Sequence, residues 1–236
     1  MLGKRLGIPL WKLWGLDRNK APISSYTIGI APDDETLRAR VREAASYPLL
    51  KVKLGSPRDR EVLAIVREEA PNAQLRVDAN AAWSAKQALG MMQSLVDNGV
   101  DMLEQPLPPH DLEGMRFVRD RSPIPVVADE SCIVATDIPK LAGVVDGVNI
   151  KLAKCGSLRE ALRMIAVARA HGMRVMCGCM IESTLGIASA AHFSPLLDDA
   201  DLDGAALLRD DPFDGPGIPA GRVTLSDAPG LGVTRR

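Results

Sequence analysis

The chain has 236 residues, 46% of them hydrophobic, and its 29 basic and 30 acidic side chains leave a formal net charge of −1. That is ample for a sizeable core, and a near-neutral balance with no long block of either sign gives nucleic acid and anionic membranes no electrostatic footing. No apolar run approaches the ~20 residues of a membrane-spanning helix.

The first segment, MLGKRLGIPLWKLWG, predicts a short helix with apolar residues on one side. From residue 24 onward short apolar runs alternate with amphipathic stretches. The runs are SYTIGIA, LLKVKLG, QLRVDAN, VDMLEQP, PVVADES, DGVNIKL and MRVMCGC, with a weaker one at DLDGAAL. Between them lie helical segments such as DDETLRARVREAA, PRDREVLAIVREEA, SAKQALGMMQSLVDNG and SLREALRMIAVARAHG, several opened by Asp, Ser or Pro and closed by Gly. Eight strands with helical crossovers predict an α/β fold, a TIM-like (β/α)7β barrel rather than an open doubly wound sheet. Past Pro212 the Pro/Gly-rich tail offers one strand, GRVTLS. The expected division is 1–20, barrel 21–211 and tail 212–236, with no evident partner in the chain for either end.

The chain opens without the charged-then-apolar pattern of a signal peptide. Cys132, Cys155, Cys177 and Cys179 fall in apolar surroundings without a regular framework, so a reducing cytoplasm is expected. Cys177 and Cys179 lack further soft-metal ligands nearby and read as small packing residues. His171 precedes its strand, and His110 and His192 sit in or near helices.

Polar residues cluster where the strands end. Asp78, Glu104 and Asp129 follow three successive strands, 26 and 25 positions apart, or about one βα unit each. In a barrel those are the C-terminal ends, where catalytic groups converge. A single acid after a strand more often caps the next helix. Three in register suit a hard cation, Mg²⁺ or alternatively Mn²⁺.

Lys51 and Lys53 flank Val52 in an otherwise apolar strand, and side chains alternate with period two. An isolated Lys-X-Lys strand more often forms a solvated edge. If Val52 packs outward here, both ammonium groups point into the barrel, where Lys151 could face them from the far side. A cation between opposed lysines suits removal of a proton next to a carboxylate: the cation stabilises the enediolate, and one lysine stands on each face. A basic lysine must fall from ~10.4 to roughly 7 or 8, about 4 kcal/mol, and Lys51 is expected to help by sitting beside Lys53.

Together KVK, VDANAAW, EQP, ADES and NIKLAKCGS, in that order, resemble the muconate-lactonising branch of the enolase superfamily. The resemblance implies Mg²⁺ ligands at Asp78, Glu104 and Asp129, acid/base lysines at Lys53 and Lys151, Lys51 as their electrostatic neighbour, and Asn80 and Glu130 around the ligands. MCGCMIESTLG followed by DLDGAALL is similar to dipeptide epimerases of the L-Ala-D/L-Glu type. That implies Mg-dependent epimerisation of a dipeptide, with Asp201 and Asp203 holding the α-ammonium and Glu182 and Ser183 on the same rim. Alternating aspartates at a strand end do share one face, although LLDDADLDG also reads as a solvated acidic turn. The family carries an N-terminal α+β capping domain, of which only the last helix is expected here.

Rival enzymatic readings are a cycloisomerase or an o-succinylbenzoate synthase, which would act on another carboxylate with the same lysines and give the Asp201–Asp203 pair nothing to bind. A different class of reading is an uncapped, inactive barrel that only binds metal or ligand. Expected partners are a dipeptide or other small carboxylate, with homo-oligomers compatible with the resemblance.

Overall fold

A computed structural model describes residues 1–236. The eight expected strands are all present: β1 Tyr26–Ile28, β2 Leu49–Lys53, β3 Gln74–Asp78, β4 Val100–Glu104, β5 Val126–Ala128, β6 Gly147–Lys151, β7 Arg174–Gly178 and β8 Asp199–Asp201. They lie in chain order in one parallel sheet. Ser24 bridges in parallel to Ala200, and the Ser25 N–H donates to the Ala200 carbonyl at 3.0 Å, which brings the last strand back to the first.

The helices are α1 Leu2–Leu6, α2 Leu10–Leu13, α3 Asp34–Glu43, α4 Asp59–Glu69, α5 Ala85–Asp97, α6 Leu112–Arg119, α7 Ile138–Leu141, α8 Leu152–Cys155, α9 Leu158–Ala170 and α10 Thr184–Ala191. Their starts follow from local chemistry. Asp33 accepts from the Thr36 N–H, Ser84 and Gln87 form a reciprocal capping box, and Ser157 accepts from the Glu160 N–H, each cap contributing about 1 kcal/mol.

Period two sorts the strand residues. Val52, Val77, Leu103, Ala128, Ile150 and Cys177 join the main core with the helices. Their neighbours turn inward, where Met102, Val127 and Met176 form a small apolar cluster of their own. The rest of the lumen is polar and buried: Lys51, Arg76, Asp78, Glu104, Asn149, Lys151, Asp199 and Asp201. At the N-terminal end Arg76 crosses to Asp199, Nη2 to Oδ1 at 2.5 Å, so charge is paired at the bottom as well as at the mouth. No helix is long and apolar enough to cross a membrane.

Three local expectations are corrected. The first segment is two helices, because Gly7 ends α1 at φ 70° and Pro9 has no N–H to continue it. The eighth strand lies at 199–201, earlier than DLDGAAL, and 204–207 winds into a 3₁₀ turn. GRVTLS is not a strand: Arg222 makes one antiparallel bridge to Ile23, and the tail's own pairing joins β9 Phe213–Asp214 to β10 Thr234–Arg235. The two ends also find their partner in each other. The Leu10 N–H donates to the Gly230 carbonyl at 3.0 Å and Trp11 Nε1 to the Ser226 carbonyl at 2.9 Å.

Leu75 of β3 is fully buried between sheet and helices. Leu75→Ala is expected to destabilise by about 2–5 kcal/mol, whereas Leu6→Ala on exposed α1 stays within about 0.5 kcal/mol, read from denaturant midpoints.

Candidate active site

The ends of β3, β4 and the loop after β5 bring Asp78, Glu104 and Asp129 together. Each offers a carboxylate oxygen, all three lie within 4.8 Å of one another, and all are buried. An all-oxygen, three-carboxylate donor set fits a hard divalent cation. Burial, then the charge of Asp78, pushes Glu104 up to about 8 against the pull of Lys51. Such mutual repulsion is what a bound cation relieves.

Lysines reach the same acids from both sides. Lys51 Nζ lies 3.0 Å from Asp78 Oδ2, 2.8 Å from Glu104 Oε2 and 2.8 Å from Asp201 Oδ2. Lys53 Nζ donates to Asp78 Oδ2 at 2.7 Å and to Asn80 Oδ1 at 2.9 Å. Lys151 Nζ donates to Asp129 Oδ2 at 2.6 Å. Val52 does pack outward, as the inward pointing of both lysines of β2 requires. Burial opposes the charge of Lys51, but Asp201, Asp78 and Glu104 outweigh it and hold its pKa well above the ordinary value. Its ammonium balances these three acids. Burial likewise opposes the charge of Lys151, and Asp129 outweighs it, so that pKa is raised, not lowered, in the cation-free site.

Several residues that the strand-end pattern did not single out hold this cluster. Asn149 Nδ2 donates to Glu104 Oε1 at 2.8 Å. Lys154 Nζ, from α8, reaches both the side chain and the carbonyl of Asp129. Gln105 accepts the Asp129 N–H at 2.8 Å and donates to the Leu107 carbonyl at 2.7 Å, tying the loops after β4 and β5. Gln105, Asn80 and Ala81 take φ values of 31°, 43° and 62°, a left-handed backbone that costs on the order of 1 kcal/mol each. Gly178 gives room: a Cβ there would lie 2.8 Å from Asn149 Nδ2 and 3.1 Å from Lys151 Cε.

Above the cluster opens a cavity of about 790 Å³, lined by both lysines of β2, Asn80, Asp129, Glu130, Lys151, Lys154, Asp201 and Asp203. Asn80 Nδ2 donates to Glu130 Oε1 at 3.2 Å, so the two residues expected around the ligands do touch. Both oxygens of Asp201 are engaged, one by Lys51 and one by the Ser25 hydroxyl at 2.7 Å. Asp203 accepts the Thr27 N–H at 2.6 Å, and burial, then the charge of Asp201, raises its carboxyl to about 6. Glu182 and Ser183 are not on the lining: Glu182 accepts from the Met180 N–H, Ser183 heads α10, and the apolar Met180 and Ile181 face the cavity instead. Cys179 lines the cavity and accepts from the Gly204 N–H, while Cys177 packs in the core.

The raised carboxyls set a pH dependence. Glu104 and Asp203 bind a proton more tightly folded than unfolded, so the stability they contribute is fully present below pH 4.5 and 3.8, respectively, and is lost as pH rises through about 8 and about 6. In chelator, the melting temperature is expected to fall between pH 5 and 8.5, and Glu104→Gln to flatten that fall; a curve unchanged by the substitution would contradict the assignment.

The family model described as enolase C-terminal domain-like matches residues 35–236. The L-Ala-D/L-Glu epimerase of Bacteroides thetaiotaomicron is 44% identical over 237 residues, which cover 100% of this chain and 61% of that protein. The L-Ala-D/L-amino acid epimerase of Maribacter sp. is also 44% identical over 237 residues, covering 99% and 69%. The dipeptide epimerase of Enterococcus faecalis V583, solved with Mg and the dipeptide L-Leu-L-Tyr, superposes with a TM-score of 0.92 at 34% identity, over 99% of this chain and 69% of that one. The chain thus spans 61% to 69% of the length of these relatives. With eight parallel strands in barrel order, three acids at their ends and a family match over most of its length, the chain belongs to the enolase C-terminal domain-like family.

Proposed function

We propose that the chain serves Mg²⁺-dependent epimerisation of a dipeptide, inverting the α-carbon next to the C-terminal carboxylate. One observation carries this reading: Lys53 and Lys151 project into one cavity from β2 and β6, four strands apart in a ring of eight, each lying against a different acid of the triad. The names of the relatives, and the Mg and dipeptide of the Enterococcus faecalis structure, support it.

Asp78, Glu104 and Asp129 would hold the cation, which supplies the positive charge that makes a proton next to a carboxylate acidic enough to remove. Lys53, as neutral amine, takes the α-proton; the C–H electrons pass into the adjoining carboxylate as an enediolate. Lys151 then gives a proton from its ammonium to the other face, and the new C–H bond has the opposite configuration. In the reverse direction the lysines exchange roles. Lys51 keeps the acids compatible with one another. Asp201 and Asp203, both on the cavity lining, receive the substrate α-ammonium. Residues 1–20 and 212–236 flank the barrel of 21–211 in the same reading, the first, with its two short helices, as the part of a capping domain that adjoins the barrel.

With Mg²⁺ and pools of L,L-dipeptides in D₂O, deuterium is expected at the α-carbon of the C-terminal residue by mass spectrometry. Lys53→Ala and Lys151→Ala each should slow inversion by roughly 10²–10⁴-fold. Asp203→Asn should slow dipeptides yet spare a carboxylate substrate lacking an ammonium group. Uptake that persists in both lysine variants would contradict the proposal.

A further inference from the structure

Asp59, the first residue of α4, is 5% exposed and forms no ion pair with a side chain, although a buried carboxylate is costly unless its oxygens are bonded. Its oxygens are fully engaged by neutral donors. Oδ1 accepts the Ser56 N–H at 2.8 Å and the Ser56 hydroxyl at 3.0 Å; the Gly55 N lies 3.0 Å from both oxygens; Oδ2 accepts Trp83 Nε1 at 2.8 Å. Trp83, itself buried, donates its backbone N–H to the Pro106 carbonyl at 2.9 Å. One side chain therefore ties the loop after β2 to the loop after β3, and through Trp83 to the loop after β4.

The tie lies beside Lys53. The Leu54 N–H donates to the Asp78 carbonyl at 2.9 Å, and Gly55, at φ 110°, is pressed so close to the next loop that a Cβ would stand 2.7 Å from Ala82 Cβ. Lys53 thus ends a strand whose exit is held in place on the loop that carries Asn80. Lys151 lies on β6, across the barrel, and touches none of these groups.

We propose that Asp59, acting with Trp83, is a positioning residue for Lys53, fixing the exit of β2 so that this lysine meets one face of the substrate; this rests on the two-lysine reading above. A cap that merely stabilised α4 would affect both faces alike.

Two variants test it: Trp83→Phe removes one donor while keeping the ring, and Asp59→Asn replaces one acceptor oxygen by an amide. Backbone amide exchange of residues 54–56, measured without metal, is expected to quicken in both. With Mg²⁺ in D₂O, L-Ala-L-Glu and L-Ala-D-Glu serve as probes of the two faces, calibrated by Lys53→Ala and Lys151→Ala. The epimer whose α-proton exchange depends on Lys53 should slow by roughly tenfold to a hundredfold, and the other by less than about twofold. Equal slowing of both epimers, or unchanged amide exchange at 54–56, overturns the proposal. If the unsubstituted protein exchanges neither probe, the epimer pair of whichever dipeptide the pools label takes their place; if no dipeptide is labelled, the two-lysine reading fails, and unchanged 54–56 amides would overturn the clamp on their own.

Discussion

A single ammonium group, that of Lys51, sits among Asp78, Glu104 and Asp201 in the closed interior of the barrel. Three carboxylates cannot share so dry a space as bare anions, and a buried charge is tolerable only when paired and hydrogen-bonded. The pairing is also a constraint on shape. It joins β2 to β3, β4 and β8, so the spacing of the acids at the mouth depends on the register of four strands. The lumen below repeats the device with Arg76 and Asp199, and Met102, Val127 and Met176 supply the apolar filling of the lumen.

The site follows from two elementary regularities. Parallel strands joined by helical crossovers deliver every strand end to one rim. Alternation within each strand then decides which residues face the lumen, and it selects Lys51 and Lys53, Asp78, Glu104 and Asn149 while sending Val52, Val77, Leu103 and Ile150 to the outer core. What alternation does not supply is orientation. That comes from the loops: Gln105 spanning two of them, Asn80 and Ala81 in left-handed backbone, and the hydrogen bonds gathered by Asp59.

The barrel and the acid triad were legible in the sequence because each rests on a repeat: strand after helix for the one, acid after strand for the other. The inward lysines were legible because period two leaves them no choice once Val52 is in the core. Lys51's balancing role was not, since its partner Asp201 is 150 residues away and only the closed ring brings them together. Asn149, Lys154 and Gln105 look like ordinary polar residues, and the crowding that Gly178 accommodates beside Asn149 and Lys151 exists only once β6 and β7 are paired. Glu182 and Ser183 fall in the irregular segment between β7 and α10, where no periodicity reports which residues face the cavity. The terminal segments seemed partnerless because their contacts to each other span more than 200 residues.

On this reading Asp78, Glu104 and Asp129 form one cation site at the foot of the cavity shared by Lys53 and Lys151. Anomalous diffraction from crystals grown with Mn²⁺ addresses it directly. One strong peak is expected about 2.1 Å from an oxygen of each of the three carboxylates, with both lysines facing the cavity above it. A peak elsewhere, or none while the three acids keep their positions, would contradict it.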